Sequence, residues 1–122
     1  HSIVVMGGTT PGHTTDAVAV ALARDCSAAH CVIATNVSHV HDSDPRVNPE
    51  AKAIEEMTLA ELSEITGTEP LAPGESAAVD PIAVKWAIDA AIKLAVLDRR
   101  DLSRLEDALE GREFVGTLVR VE

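Results

Sequence analysis

The chain has 122 residues, enough for one domain or part of one, and 46% of them are hydrophobic. Its 20 acidic and 10 basic residues give a net charge of −10. This charge argues against binding to a nucleic-acid polymer, which needs a basic surface. No apolar run approaches the ~20 residues that span a bilayer, and the first residues lack the features of a signal peptide. We therefore expect a cytoplasmic domain that contacts neither nucleic acid nor membrane.

The composition leaves the working environment open. Few lysines, few aromatic residues and many acidic ones suit a protein that is soluble in concentrated salt. An ordinary acidic cytosolic protein explains the same numbers equally well. Cys26 and Cys31 are predicted to be a reduced pair rather than a disulfide, because nothing in the sequence indicates secretion.

The first elements follow a strand–loop–helix–strand pattern. Residues 2–6 form a short apolar run that predicts a buried strand. A helix is predicted from residue 14 to about residue 27, with Thr14 or Thr15 as its N-cap and Asp16 next to its positive end. Residues 31–37 predict a second buried strand. At this spacing the two strands form a βαβ unit, with parallel strands and a right-handed crossover.

Helix-start signals organise the rest of the chain. Thr58-x-x-Glu61 and Ser103-x-x-Glu106 both predict capping boxes, and Asp80-Pro81 predicts an N-cap followed by a first-turn proline. The later elements predicted are a polar loop with room for a short hairpin at 38–52, a helix at 58–66 ended by Gly67, a mobile loop at 67–79, a helix at 81–91, a strand at 93–97, a helix at 103–111 and a strand at 115–121.

The glycine- and threonine-rich loop at 7–16 is the strongest functional signal. Alternating strands and helices predict an α/β sheet, whose ligands gather at the carboxyl ends of the strands. Gly7-Gly8 and Thr35-Asn36 both lie at such ends. A loop that opens a helix offers free backbone amides and a positive dipole to a phosphate. The letters match neither the dinucleotide-binding pattern nor the P-loop, so we expect a different kind of phosphate site.

The loop at 7–16, Gly-Gly-Thr-Thr-Pro-Gly-His-Thr-Thr-Asp, resembles the archaeal uridylate (UMP) kinases of the amino-acid kinase family. Later segments agree in order and spacing. The resemblance implies an α/β fold with a three-layer α/β/α amino-acid kinase-like sheet, of which this chain supplies the C-terminal part with a parallel βαβ core. The family's opening Gly-Gly-Ser strand-loop has no counterpart here, so residues 1–122 are interpreted as the C-terminal nucleotide-binding half of one kinase domain. The later matching segments are 34–37, 42–46, 49–52, 79–85 and 116–119.

The same resemblance implies an activity and a set of site residues. A UMP kinase transfers the γ-phosphoryl of ATP to UMP with Mg²⁺, giving UDP and ADP in pyrimidine biosynthesis, and the family's subunits associate into hexamers. Asp16 would orient lysines or metal at the transferring phosphoryl; as a simple first-turn acid it would only stabilise the helix, by about 0.3–1 kcal/mol. The implied UMP-binding residues are Thr9, Thr10, Pro11, Gly12, His13, Thr14 and Thr15, and the implied ATP-binding residues are Thr35, Asn36, His41 and Asp44.

Several side chains keep two interpretations. Ser38-His39 replaces the family's Asp-Gly and His41 replaces its tyrosine, although an imidazole can still stack on or hydrogen-bond a nucleotide. In an extended segment, His39 and His41 would share a face and Asp42 and Asp44 the other, which leaves a Zn²⁺ site open. His13 donates either to phosphate or to the loop backbone. Lys52 and Lys85 are either surface charges or phosphate contacts.

Two rival functions remain open. Another family member could phosphorylate an acidic amino acid or carbamate, but the string Pro-Gly-His-Thr-Thr-Asp at 11–16 argues against it. Alternatively, the chain could be a nucleotide-binding domain without catalytic activity.

Overall fold

The computed structural model describes residues 7–8, 14–43, 47–67, 69 and 78–122. The predicted strand at 2–6, its parallel pairing and most of the loop at 67–79 lie outside these ranges. The described helices are α1 (Thr15–Asp25), α2 (Leu59–Thr66), α3 (Pro81–Ala90) and α4 (Leu102–Leu109). The described strands are β1 (His30–Thr35), β2 (Val40–His41), β3 (Ala53–Ile54), β4 (Glu56–Thr58), β5 (Lys93–Asp98) and β6 (Thr117–Arg120).

Four of these strands form a mixed sheet in the order β1-β5-β6-β4. β1 and β5 are parallel and in register from His30 opposite Lys93 to Thr35 opposite Asp98. β6 is antiparallel to β5 and parallel to β4. β2 and β3 form a separate antiparallel hairpin, as the polar loop allowed. The α/β class is thus confirmed, whereas β4 was not predicted as a strand.

Each face of the sheet is covered by its own helices. Leu94 and Val96 of β5 belong to a core shared with α1, α2 and α3. Ala95 and Leu97 of the same strand pack with Ala108 of α4 on the other face. Successive side chains of a strand point to opposite faces, so the continuous apolar run of β5 identifies a strand buried on both sides. The result is three layers, with helices above and below the sheet.

Most of the predicted caps are confirmed. Thr14 caps α1, Thr58 and Glu61 form the full capping box of α2, and Gly67 ends that helix with a φ of 75°. Asp80 caps α3, with a proline in its first turn. These signals were readable because each concerns groups within three or four residues of one another.

The predicted capping box of α4 is wrong. Asp101 is the N-cap of α4, and its Oδ1 accepts hydrogen bonds from both the N–H and the hydroxyl of Ser103. A carboxylate is a stronger acceptor than a hydroxyl, so the N-cap lies two residues earlier than predicted and Ser103 lies inside the helix. Glu106 then lies beside Arg112, at 4.0 Å, instead of returning to a cap.

Two smaller features complete the fold. Cys26 and Cys31 are both free, one exposed and one buried, in agreement with the predicted reduced pair. The guanidinium of Arg24 lies 5.2 Å from the centre of the Trp86 ring and links α1 to α3. None of the described helices has the length and apolar character needed to cross a membrane.

Candidate nucleotide-binding site

The candidate site lies where the first turns of α1 and α3 meet. Each helix leads into one of the two parallel strands, α1 into β1 and α3 into β5. Because each helix packs back along the strand that follows it, its N-terminus points towards the carboxyl end of the sheet. Two helix N-termini, with their unpaired amides and positive ends, therefore face the edge where ligands of such sheets bind.

Three side chains connect these helix tips, and we call Thr14, Asp16 and Asp80 the helix-tip cluster. The Thr14 hydroxyl donates a short hydrogen bond to the Asp80 carboxylate. The Asp80 N–H donates to Asp16 Oδ2 over 3.2 Å, while Asp80 Oδ1 accepts from the N–H of Ile82 at 2.8 Å. Residues more than 60 positions apart are thus held together by side-chain hydrogen bonds. The predicted site residues Thr14 and Asp16 are neighbours, and Asp80 joins them.

The helix-tip cluster is electrostatically costly. Burial raises the pKa of the Asp16 carboxyl; the Asp80 N–H opposes this shift and the negative charge of Asp80 adds to it. Within the described part of the chain, no lysine, arginine or histidine forms an ion pair with either carboxylate. A perturbed carboxyl group at the ligand edge of an α/β sheet is a functional-site candidate, and its charge favours a cation or a cation-bearing ligand.

The carboxyl ends of β1 and β5 form the second part of the site. Thr35 ends β1 directly opposite Asp98, which ends β5, and Asn36 follows on the surface. The Arg100 guanidinium bonds the buried Asp98 carboxylate, with its closest N–O distance at 2.6 Å, and this contact lowers the pKa of Asp98. The Arg100 side chain is 72% exposed. A cation therefore stands at the strand ends beside the predicted ATP residues.

The hairpin formed by β2, β3 and the chain between them carries His41, which is partly exposed. Asp42 closes this loop: its Oδ1 accepts from the Lys52 N–H at 2.9 Å, and its own N–H donates to the Lys52 carbonyl at 3.1 Å. The His39 Nδ1 lies 2.9 Å from the Ser38 hydroxyl. Among the described residues, no group of three His, Cys, Asp or Glu side chains could hold a metal ion, and Asp42 serves the turn instead.

Other predicted residues are placed as follows. Thr15 is exposed in the first turn of α1, and Lys52 and Lys85 are exposed as well. A Cβ added to Gly7 or Gly8 would meet no protein atom within 4 Å, so packing within the described chain does not require glycine there. The predicted residues that lie outside the described ranges are Thr9, Thr10, Pro11, Gly12, His13 and Asp44.

Three residues of the site were missed or only partly recognised from sequence. Asp80 was predicted only as a helix cap, although it lies inside one of the segments that match the family pattern. Asp98 and Arg100 were not singled out at all. A carboxylate at the end of a buried strand, followed two residues later by arginine, is the signal that could have found them.

Comparisons with known proteins place this geometry in a family. Residues 1–98 match the model of the amino acid kinase family, and the chain belongs to that family. It is similar to the uridylate kinase of Thermococcus kodakarensis, with 43% identity over 117 residues that cover 96% of the chain and 52% of that enzyme. The uridylate kinase of Methanococcus vannielii is 44% identical over 117 residues, which cover 96% of the chain and 51% of that enzyme.

A solved structure gives the same picture. The crystal structure of uridylate kinase from Archaeoglobus fulgidus is 34% identical, with a TM-score of 0.76 over 93% of this chain and 50% of that one. The predicted membership of the amino-acid kinase family and its fold are thereby confirmed. The chain spans about half the length of the curated relatives it matches.

Proposed function

We propose that the chain is the C-terminal, nucleotide-binding half of a UMP kinase domain, which transfers the γ-phosphoryl group of ATP to UMP. The helix-tip cluster is the observation that carries this proposal, because it joins two predicted site residues at the ligand edge of the sheet. The similarity to uridylate kinases over nearly the whole chain supports the choice of substrate. The order of the matching segments supports its assignment to the later part of the family pattern.

The acceptor nucleotide binds the loop at 9–15 and the tip of α1. Its phosphate meets the hydroxyl of Thr15 and the free amides of the first helical turn, while Thr14, whose hydroxyl donates to Asp80, holds this tip in place. Because this phosphate is already an oxyanion, the reaction needs positioning and charge neutralisation more than a protein base. Asp16 orients the cations that approach the transferring phosphoryl. Mg²⁺ prefers one or two carboxylates together with phosphate oxygens, so Asp16 fits such a role, and the ion would neutralise charge on the phosphates.

The donor nucleotide binds across the ends of β1 and the hairpin. Thr35, Asn36 and His41, with Asp44, provide polar contacts to ATP, and His41 replaces the family's tyrosine as a stacking or hydrogen-bonding group. Arg100 adds a guanidinium at the neighbouring strand end, where it can contact phosphate oxygens. In this proposal donor and acceptor bind at the same edge of the sheet, which is compatible with phosphoryl transfer between them.

The wider setting follows from the same proposal. The enzyme would act in the cytoplasm, in pyrimidine biosynthesis and as a homo-oligomer, a hexamer by resemblance. Its net charge of −10 also suits a protein adapted to concentrated salt. Melting curves across a KCl series test the last point: a melting temperature that does not rise with salt removes it.

The test of function is a coupled ADP-release assay on the complete gene product that contains this chain. We expect turnover with UMP, weaker turnover with CMP, and none with aspartate, glutamate or carbamate. Turnover with a small acid in place of UMP would favour the other members of the family. Nucleotide binding measured by titration calorimetry, without turnover of any acceptor, would instead indicate a non-catalytic nucleotide-binding protein.

A further inference from the structure

The hairpin is attached to the rest of the molecule in an unusual way. Its strands, β2 and β3, have two residues each, and among the described strands they pair with one another and not with the four-stranded sheet. A hairpin this short has little stability of its own in water. Contacts with the rest of the fold must therefore fix the orientation of His41 and of the loop between the two strands.

A buried hydroxyl provides one such contact, beside the packing of Val40 and Ile54 into the main core. The Thr117 side chain of β6 is fully buried; its Oγ1 accepts a hydrogen bond from the Val40 N–H at 2.9 Å and donates one to the Ile54 carbonyl. Val40 and Ile54 are cross-strand partners in the hairpin. The hydroxyl thus holds both strands at once, using its capacity to donate and to accept. A valine of the same shape would leave a buried N–H and a buried C=O without their partner.

Gly116 fixes the place of this hydroxyl. A Cβ on Gly116 would lie 2.3 Å from the carbonyl oxygen of Val96 and 2.7 Å from Cε2 of Phe114. Only glycine therefore lets the start of β6 approach β5 this closely. Two residues after Gly116, the Leu118 N–H donates to the carbonyl of Glu55 at 2.9 Å. This bond connects β6 to the chain that leaves the hairpin. Gly116 and Thr117 thus connect the sheet to the hairpin, and we call this pair the hairpin mount.

Two hydrogen bonds between Asp42 and Lys52 also join the two sides of the hairpin just beyond His41. A shift of Val40 and Ile54 relative to β6 would therefore move His41 and these two residues together. The geometry points to Thr117 as a positioning residue for the donor nucleotide, because it holds the hairpin, and with it His41, against β6. This inference rests on the proposed function, which places ATP on the hairpin.

The test compares three variants at position 117 in the complete gene product. Thr117→Val removes both hydrogen bonds, and Thr117→Ser keeps the hydroxyl. Thr117→Cys has the shape of serine but bonds poorly, and it replaces valine if the valine variant does not fold. Val119→Ala is the matched control, because Val119 is equally buried in the same strand but pairs with Leu94 and Met57 rather than with the hairpin.

Three quantities are measured on each variant. These are KM for ATP and for UMP in the coupled assay, Kd for Mg-ATP by calorimetry, and hydrogen exchange at the Val40 amide. For Thr117→Val and Thr117→Cys we expect about a tenfold or larger rise in KM and Kd for ATP, since 1.4 kcal/mol corresponds to a factor of ten. The KM for UMP should change less than about threefold, and exchange at Val40 should accelerate. Thr117→Ser and Val119→Ala should keep values near wild type for ATP.

Each outcome decides the inference. Wild-type ATP affinity in Thr117→Val, or an equal loss in Val119→Ala, would overturn it. An equal rise in both KM values would mean a general loss of structure and would overturn it as well. If the wild type binds ATP but does not phosphorylate UMP, the proposed function fails while the Kd and exchange data still decide the role of Thr117. If the wild type does not bind ATP, both fail.

Discussion

The helix-tip cluster and the hairpin mount (Gly116 and Thr117) each connect two elements that are far apart in the sequence. The first uses charged carboxylates, and the second uses neutral backbone groups. In each, a threonine hydroxyl reaches more than 60 residues along the chain to join two elements. Thr14 donates to a carboxylate that lies beside a second carboxylate, whose pKa is raised. Thr117 lies between a backbone N–H and a backbone carbonyl, so every group at the mount is satisfied. The adjacent carboxylates of the helix-tip cluster therefore carry an electrostatic cost, whereas the neutral groups around Thr117 do not.

This difference separates the two roles. Charged groups without a partner in the protein are common at functional sites, where a bound ligand or cation neutralises them. A fully satisfied and fully buried hydroxyl has nothing to offer a ligand, but it fixes geometry. We therefore expect substitutions in the helix-tip cluster to change activity more than stability. Substitutions at the mount should change stability and the geometry of the donor site.

The largest expected effect comes from Asp16→Asn. Asparagine keeps the shape and can still accept from the Asp80 N–H, but it removes the charge that would organise cations at the phosphoryl group. We expect kcat to fall about 10²–10³-fold, the usual cost of losing one electrostatic group from a transition-state site. The coupled assay measures this, and the melting temperature should not fall.

Asp25→Asn is the matched control. Asp25 is an exposed acid at the other end of the same helix, 3.2 Å from Arg24. It should keep activity within about twofold, because exposed pairs of this kind contribute little. A kcat for Asp16→Asn close to wild type would mean that Asp16 acts only as a helix-end charge, which would break the distinction between the two regions.

The sequence predicted what depends on local pattern. The apolar runs at β1 and β5, the helix starts at Thr14 and Asp80, and the capping box at Thr58 were all readable, because periodicity and capping act within a few residues. The strand β4 was missed because three residues are too short to show alternation. Ser103 was misassigned because two candidate caps compete there, and the nearby carboxylate of Asp101 outcompetes the hydroxyl.

The site was readable only in part. Its motifs indicated Thr14 and Asp16, yet nothing local shows that Asp80 joins them or that Thr117 reaches the hairpin. Those contacts span 63 to 77 positions, and strand order and direction, such as the antiparallel β6, determine them. Local pattern carries no information on that order, so such pairs follow from the fold and not from the segments themselves.

The second prediction compares Gly116, next to Thr117, with Gly8, which lies in the loop before α1. Gly116→Ala forces a methyl group to within 2.3 Å of the Val96 oxygen, and overpacking of this kind costs about 1–3 kcal/mol of unfolding free energy. Gly8→Ala meets open space and should leave stability unchanged within about 0.5 kcal/mol while weakening binding of UMP. Urea unfolding and KM for UMP measure the two effects. Equal stability losses at both positions would contradict the close approach of β6 to β5.

The smallest expected effect is the pH dependence of stability in the helix-tip cluster. Because the pKa of Asp16 is raised in the folded state above its ordinary value of 3.8, the folded protein keeps a proton that the unfolded chain has released. The wild type therefore loses unfolding free energy as pH rises from 3.8 through the raised pKa, and the penalty is constant above it. Asp16→Asn has no such penalty, so its stability relative to wild type should increase across that window.

The size and sign of this difference separate the two interpretations of Asp16. We expect a higher melting temperature for Asp16→Asn than for wild type at neutral pH, and this gain should shrink as pH falls towards 3.8, measured by thermal unfolding in a pH series. An acid that only complements the dipole of α1 would have a lowered pKa. Its asparagine variant would then be less stable than wild type at neutral pH, and the deficit would disappear in acid. The two interpretations predict opposite slopes for the stability difference between Asp16→Asn and wild type, plotted against pH. The sign of that slope therefore decides whether the Asp16 charge stabilises the fold, or destabilises it and is retained for the proposed reaction.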